Sequence, residues 1–270
     1  MLHNHTPTVL TIAGSDPYGG AGIQIDSKTI HAVGGYAFSV ITALTAQNSI
    51  GVRGIRPVSP SMLRLQLETL LDDVKIDAVK IGVLANEALI EVVVEIIDRY
   101  KLKNIILDTV MVSSSGKILL ETEAIDIMIE KLFPLTTLIT PNLMETNHFL
   151  GRTFKGNEDE VIKMAEGLFA LGANNVLLKG GHSDQKEATD YFVNTSLKIQ
   201  TFTTPRVRTT HTHGTGCILS SAIATYLSLG YDCEKSVEKA KIFLYEKLNN
   251  ASALKLNYQN KISERREAIF

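Results

Sequence analysis

Apolar stretches alternate with segments of helical spacing along most of the chain. Residues 9–13 form an apolar, β-branched run that predicts a strand, and residues 20–33 place Ile23, Ile30 and Val33 where one helix face would bury them. Further strands are predicted at residues 38–46, 78–81, 104–108, 137–140 and 175–179. Further helices are predicted from Ser59-Pro60 onward and at residues 86–99, 123–132, 143–150, 158–171, 215–229 and 233 to about 254.

The order of these elements indicates the fold class. Strands and helices alternate, which predicts an α/β protein whose mainly parallel sheet is covered by helices on both faces. Residues 191–193 and 197–202, joined by Asn194-Thr195-Ser196, predict an antiparallel hairpin. No fixed-period repeat or Pro/Gly-rich linker divides the sequence, so we expect a single domain over residues 1–270. Residues 255–270 are mostly charged or polar and are expected to form a surface extension.

Composition and charge exclude several classes of protein. Hydrophobic residues make up 44% of the chain, which supports a core and excludes a wholly disordered protein. Twenty-seven basic and 29 acidic residues leave a formal charge of −2, so nothing favours a nucleic-acid partner. No uncharged apolar run approaches about 18 residues, so we expect no membrane span and no membrane partner. Cys217 and Cys233 are too few for a disulfide framework, which makes the cytoplasm the expected location.

Two glycine-rich segments lie where the backbone could approach a ligand. Residues 13–22 follow the first strand but lack a complete G-x-G-x-x-G pattern, so a plain turn and a ligand loop both remain open. Residues 211–217, His-Thr-His-Gly-Thr-Gly-Cys, lead directly into a helix. Free N–H groups and the helix dipole favour an anion there, and they would also favour a thiolate at Cys217. An ordinary loop with a small buried cysteine is the alternative.

Charged and polar side chains follow three other predicted strands. Asp108 could hold Mg²⁺ through water, although an aspartate in a turn is the plainer interpretation. Asn142 and Glu145 have the spacing of a helix capping box. Lys179, before two glycines, could contact a phosphate or be solvated. Because the carboxyl ends of parallel strands share one edge, these groups together suggest phosphoryl transfer.

Seven stretches, taken in order, resemble one enzyme family. They are LTIAGSDPYGGAGIQIDSKTI, SVITALTAQNSIGV, DAVKIGVL, ILDTVMVSSSG, LITPNLMET, VLLKGGH and THGTGC. The chain resembles the hydroxymethylpyrimidine/phosphomethylpyrimidine kinases of thiamine biosynthesis, within the ribokinase-like superfamily. This resemblance implies a three-layer α/β/α fold, a homodimer, and dependence on ATP and Mg²⁺. It also implies two phosphorylations, of 4-amino-5-hydroxymethyl-2-methylpyrimidine and then of its monophosphate.

The resemblance also implies four groups of site residues. The residues around the pyrimidine are Gly14, Asp26, Gln47 and Val83, the last at a position where relatives often carry methionine. The residues at the nucleotide are Asn142, Lys179, Thr212 and His213. The carboxylates near Mg²⁺ are Asp108 and Glu145. The residues of the catalytic anion hole are Gly214, Thr215, Gly216 and Cys217.

Cys217 stands where many sugar kinases of the superfamily have a presumed aspartate base. A thiolate could accept the hydroxyl proton if its pKa is lowered from about 8.5. Two alternatives stay open: a pyridoxal or pyridoxine kinase, and a pyrimidine-binding protein that has lost catalysis. Residues 46–48, Ala-Gln-Asn, favour a pyrimidine kinase over the first, and the intact Asp108, Glu145 and Lys179 argue against the second.

Overall fold

Nine strands form one sheet within residues 6–113, 116–180, 187–207 and 213–250, the part of the chain that this computed structural model describes. The strands are β1 Thr8–Ser15, β2 Tyr36–Gln47, β3 Val52–Pro57, β4 Ala78–Ile81, β5 Ile105–Leu107, β6 Leu138–Ile139, β7 Asn175–Lys179, β8 Glu187–Asn194 and β9 Ile199–Pro205. The helices are α1 Gly22–Val33, α2 Pro60–Leu71, α3 Glu87–Tyr100, α4 Glu123–Ile127, α5 Leu143–Leu150, α6 Val161–Ala170, α7 Thr215–Ser228 and α8 Cys233–Asn250.

The sheet order is β3-β2-β1-β4-β5-β6-β7-β8-β9. The six central strands of this order, β2, β1, β4, β5, β6 and β7, run parallel to one another. At the edges, β3, β8 and β9 pair antiparallel with their neighbours. The β8–β9 hairpin confirms the predicted one, although both of its strands are longer than the sequence pattern indicates. A mainly parallel sheet places the carboxyl ends of β1, β2, β4, β5, β6 and β7 along one edge.

Two apolar cores cover the two faces of the sheet. One packs α2 to α6 against residues such as Leu10, Val79 and Leu107. The other packs α1, α7 and α8 against the opposite face, around residues such as Val9 and Ile106. Adjacent strand residues point to opposite faces, so Val9 and Leu10 serve different cores. The three-layer α/β/α architecture expected from the sequence is therefore confirmed.

Some elements differ from their predicted form. The edge strand β3 was not predicted, because Arg53 and Arg56 interrupt its short apolar pattern. The helix predicted over residues 123–132 is α-helical only in α4 and continues as a π-helical turn, Met128–Leu132. The helix that begins at Cys233 is described as far as Asn250, and the proposed extension at residues 255–270 lies outside the described residues. Among the helices described, none combines the length and apolar character needed to cross a bilayer.

Candidate active site

The predicted polar residues meet where the parallel strands end and α7 begins. Asp108 directly follows β5, Asn142 follows β6 and Lys179 ends β7. An isolated bridge pairs Asn142 with Lys179, which brings these two strand ends together. The common edge arises from the parallel connections, since each strand must run in the same direction as its neighbour.

Asp108 and Lys179 form an ion pair at the centre of this edge. Lys179 Nζ lies 3.0 Å from Asp108 Oδ1, and the Asp108 side chain is fully buried. Burial raises the pKa of Asp108, but the charges of Lys179 and Lys80 outweigh it, so the pKa lies below its usual value. Burial lowers the pKa of Lys179, yet the carboxylates of Asp108 and Glu145 outweigh it and raise that pKa. Both groups are therefore charged at neutral pH.

Glu145 is both a helix cap and a buried carboxylate. Its Oε2 accepts hydrogen bonds from the Asn142 N–H and from Thr109 Oγ1, both at 2.9 Å, while Asn142 Oδ1 caps the Glu145 N–H. Burial raises the pKa of Glu145 above its usual value, although Lys179 opposes that effect. The capping box thus fixes the orientation of a carboxylate that faces Lys179 and Asp108.

The space beside Asp108 suits a ligand. A Cβ on Gly216 would lie 3.3 Å from Asp108 Oδ2 and 3.5 Å from Lys179 Nζ, so glycine keeps this corner open. Within the described part of the chain, Asp108 Oδ2 accepts one long hydrogen bond, of 3.4 Å, from Ser220 Oγ. Two carboxylates suit Mg²⁺, which retains several waters and seldom occupies an all-protein cage. No cluster of three or more metal-ligating side chains occurs within the described ranges.

The two predicted glycine segments pack against each other. Gly214 has a φ of +79°, and a Cβ there would lie only 1.7 Å from the Gly20 carbonyl oxygen. Cys217 lies in the first turn of α7, where the N–H of Gly22, at the start of α1, acts to lower the pKa of its thiol. Asp16 holds the first segment by accepting hydrogen bonds from the N–H groups of Gly20 and Ala21, at 3.0 and 2.8 Å. The N-termini of α1 and α7 therefore lie side by side.

Replacing Gly214 with alanine is expected to lower the rate of the expected phosphoryl transfer by at least about tenfold, because the added Cβ must displace the Gly20 backbone. Gly230→Ala is the matched control. Gly230 also has a positive φ, +89°, but its Cβ would meet nothing within 4 Å. Steady-state kinetics and melting temperatures of both variants make the comparison. Equal activity losses in the two variants would attribute the effect to backbone strain alone.

The pKa of Cys217 is raised, whereas a thiolate at this position needs a lowered pKa. Burial raises the pKa of its thiol to about 11, although the charge of Lys80 and the hydrogen bond from Gly22 oppose that rise. The nearby carboxylates of Asp26 and Asp108 raise it further. The helix N-terminus therefore does not produce a thiolate here, and Cys217 is a neutral thiol at pH 7.

Gln47 and His213 meet at the other end of the site. Gln47 Nε2 lies 2.9 Å from His213 Nε2, which is also 3.1 Å from Asp16 Oδ2. Gln47 lines a cavity of about 290 Å³ together with Pro17, Ala46, Asn48 and Arg53. His213 was expected among the nucleotide residues, but these contacts group it with Gln47. Burial raises the pKa of Asp16, but the hydrogen bonds with His213 and with the N–H groups of Tyr18 and Ala21 together outweigh burial, so the pKa lies below its usual value.

Gly14 and Val83 are neighbours at this end. A Cβ on Gly14 would lie 4.0 Å from the Val83 Cβ and 3.7 Å from the Ala43 carbonyl oxygen. The Val83 carbonyl oxygen also accepts a hydrogen bond from Thr42. The strand ends of β1, β2 and β4 thus supply three of the four residues expected around the pyrimidine, Gly14, Gln47 and Val83.

The fourth residue expected around the pyrimidine, Asp26, lies deeper than its neighbours. Its carboxylate is fully buried and forms an ion pair with Lys80. Thr11 and Ser221 donate to the same carboxylate at 2.6 and 2.8 Å. Asp26 faces the sheet and α7 because it lies on the buried side of α1. Its side-chain contacts are therefore with β1, β4 and α7, and its role at the pyrimidine stays a prediction.

Sequence reasoning missed Lys80 and Asp16. A lysine inside the apolar strand Ala78–Ile81 is an available signal, because a buried cation needs a buried partner. Asp16 could have been recognised as the cap of its glycine turn, since aspartate commonly accepts hydrogen bonds from nearby N–H groups. Thr215 begins α7 as expected, whereas Thr212 lies outside the described residues.

A larger groove, of about 720 Å³, lies between β9 and α8 rather than at the strand ends. Its charged side chains form ion pairs, Lys198 with Glu234 at 2.9 Å and Lys235 with Glu238. Its volume exceeds that of the cavity beside Gln47, but the residues that match phosphoryl-transfer chemistry lie elsewhere. We therefore place the candidate active site at the strand ends.

This chain is similar to several known kinases. The model of a family described as phosphomethylpyrimidine kinase matches residues 16–262. The hydroxymethylpyrimidine/phosphomethylpyrimidine kinase of Escherichia coli (strain K12) is 42% identical over 92% of this chain and 93% of its own. A crystal structure of phosphomethylpyrimidine kinase from Clostridium difficile 630 superposes with a TM-score of 0.79, at 39% identity over 90% of this chain and all of that one. Pyridoxal kinase from Staphylococcus aureus, in complex with AMP-PCP and pyridoxal, gives 0.83, at 30% identity over 92% of this chain and 89% of that one.

Proposed function

The chain belongs to the phosphomethylpyrimidine kinase family, and from that premise we propose how its residues divide the work of phosphoryl transfer. It is a phosphotransferase of thiamine biosynthesis, which phosphorylates 4-amino-5-hydroxymethyl-2-methylpyrimidine and then the resulting monophosphate. The observation that carries the residue assignment is the convergence of Asp108, Lys179 and Glu145 on the turn that begins α7. Cation, carboxylates and helix N-terminus are the parts that this reaction needs.

The nucleotide end of the site uses charge and backbone donors. Lys179 would bind the transferred phosphoryl group of ATP. The N–H groups of residues 214–217, at the N-terminus of α7, would donate hydrogen bonds to the same group. Asn142, just after β6, pairs with Lys179 through a β-bridge and would lie close to the phosphates. Asp108 and Glu145 would hold Mg²⁺, which supplies Lewis-acid neutralisation of phosphate charge when bound.

The pyrimidine end uses hydrogen bonds and a close backbone. The Gln47 amide can both donate to and accept from an aminopyrimidine edge. His213 Nε2 lies 2.9 Å from the amide nitrogen, which limits how the amide can turn. Because Gly14 has no side chain, a flat ring could pack against its backbone beside Val83. We further propose that the protein works in the cytoplasm, which the free thiols of both cysteines support. We also propose a homodimer, which the exposed apolar side chains of Leu44 and Ile50 support.

Cys217 lies between these two ends. In the first phosphorylation the hydroxyl oxygen bonds to the γ-phosphorus, the bond to ADP breaks, and the hydroxyl proton must leave. A neutral thiol cannot take that proton without first losing its own. Positioning of the substrates and stabilisation of charge therefore contribute more to the rate than proton abstraction by Cys217 does. In the second phosphorylation the acceptor is already a phosphate and needs little deprotonation.

Cys217→Ala is expected to lower the first phosphorylation by about tenfold to a hundredfold, at or below the low end of what general-base catalysis contributes, because the thiol is neutral. The second phosphorylation should change by less, and binding of ATP should survive. Separate assays on the pyrimidine and on its monophosphate measure the two effects, and Cys233→Ser is the control thiol. Equal loss in both steps would contradict a role at the hydroxyl.

A pyridoxal kinase is the second candidate, because the Staphylococcus aureus pyridoxal kinase superposes as well as the pyrimidine kinase does. The deciding experiment follows ADP and product with ATP–Mg²⁺ and, separately, hydroxymethylpyrimidine, its monophosphate and pyridoxal. Turnover of both pyrimidines with slower turnover of pyridoxal supports the pyrimidine kinase. Faster turnover of pyridoxal would assign the site to vitamin B6 instead. Binding of the pyrimidine without turnover would indicate a catalytically silent binding protein.

A further inference from the structure

A buried ion pair lies beneath the two glycine segments. Lys80, in the middle of β4, donates to both carboxylate oxygens of Asp26 at 3.0 and 2.8 Å, and neither side chain is exposed. Thr11 on β1 and Ser221 on α7 donate to the same carboxylate at 2.6 and 2.8 Å. Four elements, β1, α1, β4 and α7, therefore meet at one carboxylate.

Helices α1 and α7 also meet one turn nearer the candidate active site. Gly214, the N-cap of α7, packs so closely on the residues directly before α1 that an added Cβ would lie 1.7 Å from the Gly20 carbonyl oxygen. Asp26 lies four residues after Gly22, the first residue of α1, and Ser221 lies four residues after Cys217, in the first turn of α7. Because residues four apart lie on the same helix face, this close approach and the Ser221–Asp26 hydrogen bond lie along one α1–α7 seam.

Stability alone does not account for a buried ion pair at this place. Desolvation of both charges offsets most of their attraction, and apolar side chains of similar volume often stabilise a protein as well or better. A carboxylate that accepts four hydrogen bonds instead favours one arrangement of the elements that supply them. Here those elements include both helices whose N-termini form the candidate active site.

We propose that Lys80, Asp26 and Ser221 are positioning residues that hold the first turns of α1 and α7 in register. They thereby preset the turn at residues 214–217 for the phosphoryl group. This inference rests on the proposed function of that turn. Because a displacement of about 1 Å at a reacting centre can cost about a hundredfold in rate, loss of the register affects kcat more than KM.

The decisive variant is the double replacement Lys80→Met/Asp26→Leu, which removes the charges together and leaves neither one buried alone. We expect it to fold, with a somewhat lower melting temperature because the Thr11 and Ser221 hydroxyls lose their acceptor, with kcat at least about tenfold lower and KM for both substrates within about threefold. Leu89→Ala, in the core beneath α3, is the control for lost stability and should keep its kcat. A double variant that is stable and turns over within about threefold of wild type would overturn the proposal.

Alkylation of Cys217 by iodoacetamide, in a Cys233→Ser background, measures the register without any kinase assay. Loss of the register opens the packing of α1 against the first turn of α7 and exposes the half-buried sulfur, so we expect faster alkylation in the double variant and unchanged alkylation in Leu89→Ala. An unchanged rate in the double variant would overturn the proposal even if the wild-type protein phosphorylates no pyrimidine. That second result, by itself, would contradict only the proposed function.

Ser221→Ala keeps the test available if the double variant does not fold. It removes one hydrogen bond of 2.8 Å between the helices and leaves the ion pair intact. We expect a fall in kcat of about threefold or more, together with faster alkylation of Cys217. Wild-type values of both quantities in this variant would overturn the proposal.

Discussion

Asp108→Asn is expected to lower kcat for both phosphorylations by about a hundredfold or more, and to raise the Mg²⁺ concentration needed for half-maximal rate. Asparagine keeps the shape of the side chain but removes its charge. The variant therefore lacks a carboxylate that would hold Mg²⁺, and it leaves Lys179 without the partner at 3.0 Å. Glu145 still faces Lys179, so we expect the protein to fold.

The control for this variant is Asp98→Asn. Asp98 also pairs with a lysine, Lys101, at 2.8 Å, but its side chain is 76% exposed. Exposed pairs of this kind contribute little, so the control should keep wild-type kinetics and melting temperature. Titration of Mg²⁺ at saturating ATP measures the effect on both proteins. A kcat within about threefold of wild type for Asp108→Asn would remove Asp108 from the metal site.

The sequence predicted the fold well because its parallel strands are short, apolar and bounded by helices. The bounds of β4 and β7 agree with their predictions to the residue, since each apolar run ends at a glycine or a polar turn. The edge strand β3 was missed because an edge strand is half exposed and needs no continuous apolar run. Local pattern thus located the central strands better than the edge of the sheet.

The site was predictable where its chemistry is local and not where it depends on tertiary pairing. The Asn142–Glu145 capping box and the anion-binding N-terminus of α7 are encoded within a few residues, so spacing alone indicated them. Asp26 and Lys80 are 54 residues apart, and nothing local reveals that each neutralises the other. Burial of Cys217, which raises its pKa, likewise depends on α1 packing against the start of α7.

Lys179→Met is expected to raise KM for ATP by about tenfold and to lower kcat by about a hundredfold. Methionine preserves most of the apolar stem but removes the cation that would face the transferred phosphoryl group. It also leaves the carboxylates of Asp108 and Glu145 facing each other without the charge that lowers the pKa of both. Both effects weaken the binding of a phosphate anion at this strand end.

The matched control for this variant is Lys101→Met, which removes an exposed lysine from its pair with Asp98 and should leave ATP kinetics unchanged. Combining Lys179→Met with Asp108→Asn gives a sharper test. If the two residues act as one unit on the phosphates, the double variant loses far less than the product of the two single losses. Fully multiplicative losses in kcat/KM would mean that the ion pair of 3.0 Å is incidental and that the two side chains act independently.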